Sequence, residues 1–219
     1  MEHGTPPFEN RAAAGRVLAD RLAGTTVGPL TILALPRGGV PVAEPIADRL
    51  GAPLDVLVVR KVGAPGNPEY GVGAVAEQDP PWLDVGRLRE LGLEPRHLAA
   101  AVRRAEQEVE EGVRRFRGGR GLPDLTGRTA VLVDDGLATG GTALAAARCA
   151  RRRGPRRIVL AVGVASPEAR DLLAGEVDEV VCPCVPAGFT AVGMWYRAFD
   201  AVSDAEVRRV LARSRSAGL

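Results

Sequence analysis

The segment that decides the fold is AVLVDDGLATGGT, residues 130–142. Its first residues, Ala130 to Val133, are apolar and predict a buried strand of a parallel sheet, because such strands are covered on both faces. Ligands of open α/β sheets bind at the carboxyl ends of the strands, so Asp134 and Asp135 fall at the functional edge. Two acids buried there need donors or cations, such as sugar hydroxyls or a hydrated divalent metal ion.

Small residues follow the two acids and lead into a predicted helix over Thr142 to Arg153. These residues are Ala138, Thr139, Gly140, Gly141 and Thr142. They leave room for a phosphate group to contact backbone N–H groups at the helix N-terminus, and the threonine hydroxyls add further donors. The segment therefore predicts a cradle that binds a sugar through the acids and its phosphate through the loop.

Other glycine-rich motifs fit this segment less well. A Walker loop needs a lysine after its last glycine, and none follows Gly141. A dinucleotide fingerprint spaces its glycines as G-x-G-x-x-G after the first strand, which Gly136, Gly140 and Gly141 do not. In receiver domains the paired acids open the domain and a lysine follows, whereas Lys61 precedes the acids here. A tight strand–helix turn without a ligand is the remaining structural alternative.

The composition is that of a globular protein. With 219 residues and 46% hydrophobic content, the chain fits one domain with a substantial core. A net charge of +2 does not favour a nucleic-acid surface. The first ten residues do not resemble a signal peptide, and no apolar run reaches the roughly 18 residues of a membrane span. We therefore expect a cytoplasmic protein without nucleic-acid or membrane partners.

The three cysteines are Cys149, Cys182 and Cys184, and only His3 and His97 could assist them in a metal site. An odd number of cysteines without a zinc-ligand spacing favours unligated thiols over a zinc site.

The apolar pattern predicts strands that alternate with helices. Predicted helices span Phe8–Leu22, Val42–Leu50, Pro95–Phe116, Thr142–Arg153, Pro167–Ala174 and Asp204–Arg213, and predicted strands span Leu30–Leu35, Leu54–Val59, Val72–Ala76, Ala130–Val133, Ile158–Val164 and Glu179–Val185. Such alternation predicts an α/β fold with a doubly wound, mostly parallel sheet flanked by helices. We expect one domain over residues 1–219, with a helical insertion at about 77–127 and a small C-terminal hood at about 185–219.

Two further segments follow predicted strands. Pro36 to Gly39, PRGG, predicts a turn after the first strand. Arg60 to Gly71, RKVGAPGNPEYG, is rich in glycine and proline and predicts a mobile loop. It contains Lys61, the only lysine among 29 lysine and arginine residues. Coding bias is one explanation for a single lysine; we favour a requirement for a compact ammonium group on a flexible stem.

The segment VLVDDGLATGGT resembles the phosphoribosyl diphosphate binding motif of type I phosphoribosyltransferases, and DDxLATGGT is most similar to its adenine phosphoribosyltransferase form. PRGG resembles the pyrophosphate loop of that family, and Arg60 to Gly71 resembles its flexible catalytic loop. The three segments occur in the order of the family, and the resemblance extends over roughly Leu30 to Ala76 and Arg128 to Val164, about half of the chain. The remaining regions, 77–127 and beyond Val185, look more like those of a little-characterised bacterial branch.

The resemblance implies an enzyme that uses Mg²⁺ to transfer a phosphoribosyl group from phosphoribosyl diphosphate to a nitrogen acceptor such as a nucleobase, with release of pyrophosphate. It implies that Asp134 and Asp135 hold the ribose and, directly or through water, the metal ion. The implied 5′-phosphate ligands are Ala138, Thr139, Gly140, Gly141 and Thr142. The implied pyrophosphate ligands are Arg37, Gly38, Gly39, Arg60 and Lys61, and the implied catalytic residues are Arg37, Lys61, Glu69 and Tyr70.

The acceptor is less well defined than the donor. Position 138, where the hypoxanthine and guanine enzymes of this family place an aspartate, is Ala138, which weakens a 6-oxopurine assignment without establishing adenine. The clustered aromatics Phe189, Trp195, Tyr196 and Phe199 are as consistent with core packing as with stacking on a base. Members of the family commonly have a cis peptide bond in the pyrophosphate loop, and relatives are often dimers. The alternatives to an enzyme are a non-catalytic sensor of phosphoribosyl diphosphate or a nucleotide, and an interaction domain that binds no ligand.

Overall fold

A computed structural model describes residues 7–24 and 28–217 of the chain. Its α-helices are α1 (Arg11–Ala23), α2 (Gly39–Leu50), α3 (Val85–Glu90), α4 (Ala99–Arg117), α5 (Gly141–Arg151), α6 (Pro167–Ala174) and α7 (Asp204–Ala217). Its strands are β1 (Leu30–Ala34), β2 (Leu54–Val56), β3 (Val59–Ala64), β4 (Asn67–Ala76), β5 (Trp82–Leu83), β6 (Thr129–Leu137), β7 (Arg157–Ala165) and β8 (Glu179–Val181). Short 3₁₀ turns lie at Pro95–Leu98 and Val192–Trp195.

The predicted α/β fold is confirmed. Five parallel strands form the main sheet in the order β2-β1-β6-β7-β8, with β6 at its centre. Successive residues of a strand point to opposite faces, and both faces are buried. On one face Val131 and Val133 pack with α1, α2 and α7; on the other, Ala130 and Leu132 pack with α5. The central strand therefore lies between two hydrophobic cores, as its continuous apolar run indicates.

Strand β6 is longer than the sequence predicts. It continues past Val133 through both aspartates to Leu137, because its pairing with β7 extends to Leu137 opposite Ala165. The predicted strand Leu54–Val59 is also revised, since only β2 belongs to the parallel sheet and Val59 begins β3. The last strand ends at Val181 rather than at Val185. The predicted helix Pro167–Ala174 has the predicted bounds, because Ser166 caps it and Pro167 begins it.

The prediction of a loop over Arg60 to Gly71 is wrong. This segment forms an antiparallel hairpin in which β3 pairs with β4 across a turn at Pro65 and Gly66. Together with β5 it makes a second, three-stranded sheet. Register shifts around Gly63 interrupt the regular pairing. The glycines and prolines of this segment are typical of loops, so the sequence pattern did not indicate a strand. The hairpin follows β2 in the chain, and both of its strands contact α5. Its residues Lys61 and Gly71 lie beside Thr142 in the first turn of that helix.

The segment at 77–127 contains β5, α3 and the long helix α4. The predicted amphipathic helix Pro95–Phe116 begins as a 3₁₀ turn and becomes α-helical at Ala99. Its buried stripe, which includes Ala105, Val109 and Phe116, packs on the hairpin and on the main core. None of the helices in the described residues is long and apolar enough to cross a membrane.

A buried ion pair joins the hairpin to α4. The Arg117 guanidinium donates to the Glu77 carboxylate, and both side chains are almost fully buried. Glu77 also accepts a hydrogen bond from the backbone N–H of Val58 at 3.0 Å. A buried charge that loses its partner keeps its desolvation cost, so this pair holds the base of the hairpin in place.

We predict that Arg117→Met lowers the free energy of unfolding by about 3–5 kcal/mol, because it leaves the Glu77 carboxylate buried without a counter-ion. The double variant Arg117→Met/Glu77→Gln should recover most of this loss, since the amide is neutral and still accepts from Val58. Urea unfolding measures both values.

Arg114→Met is the matched control, because Arg114 lies on the same helix with 64% of its side chain exposed. It should change the stability by less than about 0.5 kcal/mol. A double variant as unstable as Arg117→Met alone would contradict the role of the unpaired charge.

Candidate functional site

The two acids lie at the carboxyl end of β6 and are held differently. Asp134 Oδ1 accepts a hydrogen bond from the backbone N–H of Asp135 at 2.9 Å. Asp135 Oδ2 accepts from Arg11 Nε at 2.8 Å. Within the described residues, Asp134 Oδ2 has no hydrogen-bond partner. Asp134 Oδ2 is therefore open to a ligand, whereas the Asp135 carboxylate is held by Arg11.

Sequence reasoning missed Arg11. This side chain lies at the start of α1, which Asn10 caps by accepting from the backbone N–H of Ala13. Besides Asp135, Arg11 donates to the backbone carbonyl of Asp200 at 2.7 Å, and its guanidinium lies 3.7 Å from the ring centroid of Phe199. No local motif marks this residue, because its partners lie far away in the chain.

The aromatic cluster packs behind the acids. The Tyr196 hydroxyl donates to the backbone carbonyl of Asp135 at 2.6 Å, and the Tyr196 ring stacks on Phe199 with centroids 5.1 Å apart. A Cβ at Gly163 would overlap the Tyr196 hydroxyl, so glycine is required for this close approach. Burial raises the pKa of Tyr196, which keeps the hydroxyl a donor. For Tyr196, packing rather than contact with a base accounts for its position.

The PRGG turn lies against the acids. The peptide bond between Pro36 and Arg37 is cis. A Cβ at Gly38 would overlap the Asp135 carboxylate, and one at Gly39 would overlap the backbone carbonyl of Val133. The two glycines therefore allow the turn to touch β6. Gly38 lines the main cavity, whereas the predicted pyrophosphate contact of Gly39 is not favoured, because its N–H donates to the backbone carbonyl of Leu35 at 3.0 Å.

The segment after the acids forms a glycine-containing turn at the N-terminus of α5. Gly140 has a left-handed backbone with φ of +75° and directly precedes α5. No side chain caps α5, so the N–H groups of its first turn remain available to an anion. The Ser166 hydroxyl donates to the backbone carbonyl of Ala138 at 2.8 Å and fixes the turn to the next strand–helix connection.

One cavity brings these segments together. It has a volume of about 330 Å³ and is lined by both acids, by the PRGG turn and by Thr142. Arg11, Phe199 and Val202 complete its wall. The acids, the turn predicted to bind pyrophosphate and Thr142 therefore face one space, whereas Thr139 and Gly141 of the predicted phosphate loop face a smaller cavity that Thr142 also lines.

Arg60 and Lys61 point to opposite sides of β3. Arg60 forms an ion pair with Glu108 of α4, with Nε 3.6 Å from Oε2. Lys61 lines a smaller cavity with Thr139 and Thr142 of the predicted phosphate loop, and also a larger cavity with Arg104 and Glu108 of α4. Neither cation is among the residues that line the main cavity with the acids.

Arg87, a second residue that sequence reasoning missed, also lines the smaller cavity. It lies on α3, donates to the backbone carbonyl of Gly71 at 2.9 Å and pairs with Asp84 at 3.3 Å. Tyr70 is 39% exposed, and the centre of its ring lies 5.8 Å from the Arg87 guanidinium. The side chain of Glu69 lies outside the described part of the structure, although its backbone is in β4.

The described residues contain no cluster of three or more His, Cys, Asp or Glu side chains suited to hold a metal ion. The cysteines are free, and burial raises the pKa of Cys182 to about 11. Mg²⁺ usually takes one or two carboxylates and completes its shell with water and substrate phosphates. The open Oδ2 of Asp134 at the cavity wall fits that mode of binding.

Both acids are held in a setting that disfavours their charge. Burial, followed by the charge of Asp135, raises the pKa of Asp134 well above its usual range. Burial also raises the pKa of Asp135, although the hydrogen bond from Arg11 opposes that shift. A cation or hydroxyl donors in the cavity would stabilise the charged pair.

Comparisons with known proteins agree with this geometry. The model of the phosphoribosyl transferase domain family matches residues 9–191. A Mycobacterium tuberculosis protein named "Putative phosphoribosyl transferase Rv0571c" is 46% identical over 207 residues, which are 94% of this chain and 47% of the relative. The chain thus spans about half the length of the curated relatives it matches.

Solved structures share the fold. The crystal structure of TT1426 from Thermus thermophilus is 43% identical, with a TM-score of 0.80 over 94% of this chain and 98% of that one. A hypothetical protein from Neisseria gonorrhoeae, solved with bound ppGpp, has a TM-score of 0.53 over 94% of this chain and 93% of that one. At 14% identity it shows likeness of fold alone.

We predict that Asp134→Asn stabilises the ligand-free protein at pH 8 but not near pH 4. The folded state holds the Asp134 proton more tightly than the unfolded chain, so stability falls as pH rises from the unfolded pKa of about 3.9 through the raised pKa. The neutral amide removes that loss and keeps an oxygen for the Asp135 N–H. Thermal unfolding of EDTA-treated protein at both pH values measures the effect.

Asp171→Asn is the control, since 73% of the Asp171 side chain is exposed. Its Tm difference from the parent should be small at both pH values. A loss of stability for Asp134→Asn at pH 8, or an equal gain at both pH values, would contradict a destabilising charge on Asp134.

Proposed function

Since the chain belongs to the phosphoribosyl transferase domain family, we propose that it transfers the phosphoribosyl group of phosphoribosyl diphosphate to a nitrogen acceptor and releases pyrophosphate. The observation that carries this proposal is the shared cavity. Its wall combines adjacent carboxylates, an arginine beside a tight turn, and Thr142 in the first turn of α5. Carboxylates bind hydroxyls, whereas cations and backbone N–H groups bind phosphates, so the wall matches the parts of a phosphorylated sugar diphosphate.

Each segment has a distinct role in this proposal. Asp134 accepts hydrogen bonds from the ribose hydroxyls, while Asp135 is oriented by Arg11 and holds the end of β6 in place. The backbone N–H groups and threonine hydroxyls from Ala138 to Thr142 bind the 5′-phosphate. Arg37, together with its own backbone N–H and that of Gly38, binds the pyrophosphate and offsets the charge that develops as it leaves. Mg²⁺, held by the acids and the substrate, would supply further neutralisation of that charge.

The hairpin supplies the remaining groups. Lys61 and Arg60 approach from its base, and Glu69 and Tyr70 lie on its second strand. In this proposal the hairpin closes over the reacting centre and excludes water, which competes with the acceptor as nucleophile. Arg87 contacts the backbone of the hairpin at Gly71 and so connects its position to the phosphate loop.

We propose a nucleobase as the acceptor. The wall of the main cavity is apolar at Phe199, Ala201 and Val202, which suits a flat ring beside the sugar. Because Ala138 offers no carboxylate to a ring N–H, a 6-oxopurine acceptor is disfavoured. Adenine, and with it a role in purine salvage, stays one prediction among several.

A cytoplasmic location and a homodimer also stay predictions of the sequence.

The direct test is to incubate the protein with phosphoribosyl diphosphate, Mg²⁺ and a panel of purines, pyrimidines and amines, and to measure pyrophosphate release. Release that depends on one acceptor supports the proposal. Saturable binding of phosphoribosyl diphosphate without turnover on any acceptor favours the sensor instead. Absence of binding favours an interaction domain.

We predict that Asp134→Asn/Asp135→Asn abolishes binding of phosphoribosyl diphosphate, because amides bind the hydroxyls and the metal ion more weakly than carboxylates do. Isothermal titration calorimetry with Mg²⁺ present measures the affinity. Asp20→Asn/Asp171→Asn has the same change in charge at two exposed sites and should bind like the parent. Equal affinity of the Asp134/Asp135 double variant and the parent would refute the site.

Lys61→Ala should lower kcat by about tenfold to a hundredfold and change KM for phosphoribosyl diphosphate only a few-fold, because the ammonium acts mainly on developing charge. Lys61→Arg should recover little activity if a compact ammonium is required. Steady-state kinetics separates the two parameters. Full activity of Lys61→Ala would exclude this role, and full activity of Lys61→Arg would show that any cation suffices.

A further inference from the structure

Three arginines from three different elements meet beside the cavity. Arg37 of the PRGG turn lies with Nη1 3.5 Å from Asp204 Oδ1. Arg115 of α4 lies with Nη1 2.9 Å from Asp204 Oδ2. Arg60 of β3 pairs with Glu108 of α4 at 3.6 Å. Asp204, the first residue of α7, thus bridges the turn and the long helix with its two carboxylate oxygens.

The three guanidinium groups influence one another. Burial lowers the pKa of Arg60, Glu108 opposes that shift, and the charges of Arg37 and Arg115 add to it. Like charges held this close repel, and the cluster holds fewer carboxylates than guanidiniums. A bound anion with several charges would relieve this repulsion more fully than Asp204 alone.

Asp204 binds the arginines as an oxyanion would. Its two oxygens accept from two guanidiniums, and phosphate groups offer oxygens in a similar arrangement to which arginine binds strongly. The Asp204 side chain is 27% exposed, and the arginines beside it are about half exposed, so a dissolved anion can reach them. Val202, two residues before Asp204, lines the main cavity.

We propose that Arg115 is a further pyrophosphate ligand, and that Asp204 occupies the Arg37–Arg115 pair until pyrophosphate displaces it. The inference rests on the proposed function, since Arg37 is assigned there to the pyrophosphate. It adds a ligand from helix α4, which lies outside the three segments that resemble type I phosphoribosyltransferases. It also gives the start of α7 a role in controlling access to the pyrophosphate.

The first test is isothermal titration calorimetry of the full chain with inorganic pyrophosphate, with and without Mg²⁺. Arg115→Ala should weaken binding by about tenfold or more, because it removes a charge-assisted hydrogen bond. Arg114→Ala is the matched control: the residue is adjacent, carries the same charge and pairs with exposed Glu110 rather than with Asp204. Binding by Arg115→Ala that equals binding by Arg114→Ala overturns the proposal.

The second test is Asp204→Asn, which should tighten pyrophosphate binding about threefold or more, because the amide competes less well for the arginines. Glu206→Gln lies in the same first turn of α7, has the same change in charge and should tighten binding less. Weaker binding by Asp204→Asn, or an effect equal to that of Glu206→Gln, overturns the proposal. Circular dichroism checks that both variants are folded.

These titrations separate this inference from the proposed function. They require no acceptor and no turnover. If the parent protein binds pyrophosphate but transfers no phosphoribosyl group, the proposed enzymatic function is rejected, and the comparisons at Arg115 and Asp204 still decide this inference. A parent that releases pyrophosphate from phosphoribosyl diphosphate while Arg115→Ala and Arg114→Ala bind pyrophosphate equally would support the enzyme and reject this inference. A parent that does not bind pyrophosphate rejects it as well.

Discussion

Two adjacent carboxylates at the end of a buried strand are the constraint on which the site depends. Removing such charges from water is unfavourable: burial raises the pKa of both acids, and the charge of Asp135 raises that of Asp134 further. Two hydrogen bonds hold Asp135: the Arg11 guanidinium of α1 donates to its carboxylate, and the Tyr196 hydroxyl donates to its backbone carbonyl. Asp134 keeps one oxygen open. The arrangement fixes one acid and leaves the other for a ligand.

This constraint explains why residues near both ends of the chain meet at the central strand. Arg11 lies 124 positions before Asp135, and Tyr196 lies 61 positions after it. Neither residue belongs to a local motif. A single contact with a distant partner produces no recurring pattern in the sequence around the residue. The strand, the acids, the glycine turn and the helix of residues 130–142 are consecutive, so their local order predicted the cradle. The contacts that hold the cradle together could not be predicted in this way.

The fold class followed from the sequence for a similar reason. Alternation of apolar runs and helical stripes depends only on which faces are buried, and the parallel sheet buries both faces. The hairpin was missed because its pattern is mixed: glycines at 63, 71 and 73 sit where side chains or backbone approach closely. At Gly73, for example, a Cβ would overlap the backbone carbonyl of Trp82 in the next strand. Glycine that normally marks a loop here allows three strands to pack tightly.

The hairpin also places its two cations in different surroundings. Consecutive residues of β3 point to opposite faces, so Arg60 pairs with Glu108 of α4, while Lys61 reaches both the predicted phosphate loop and the groove beside α4. A planar guanidinium suits the first position, where carboxylates and other guanidiniums crowd together and donors must point in several directions. A single compact ammonium on a flexible stem suits the second, where the predicted phosphate loop and the Arg87 guanidinium already line a narrow space. The two neighbouring positions of one strand therefore make different demands on a cation.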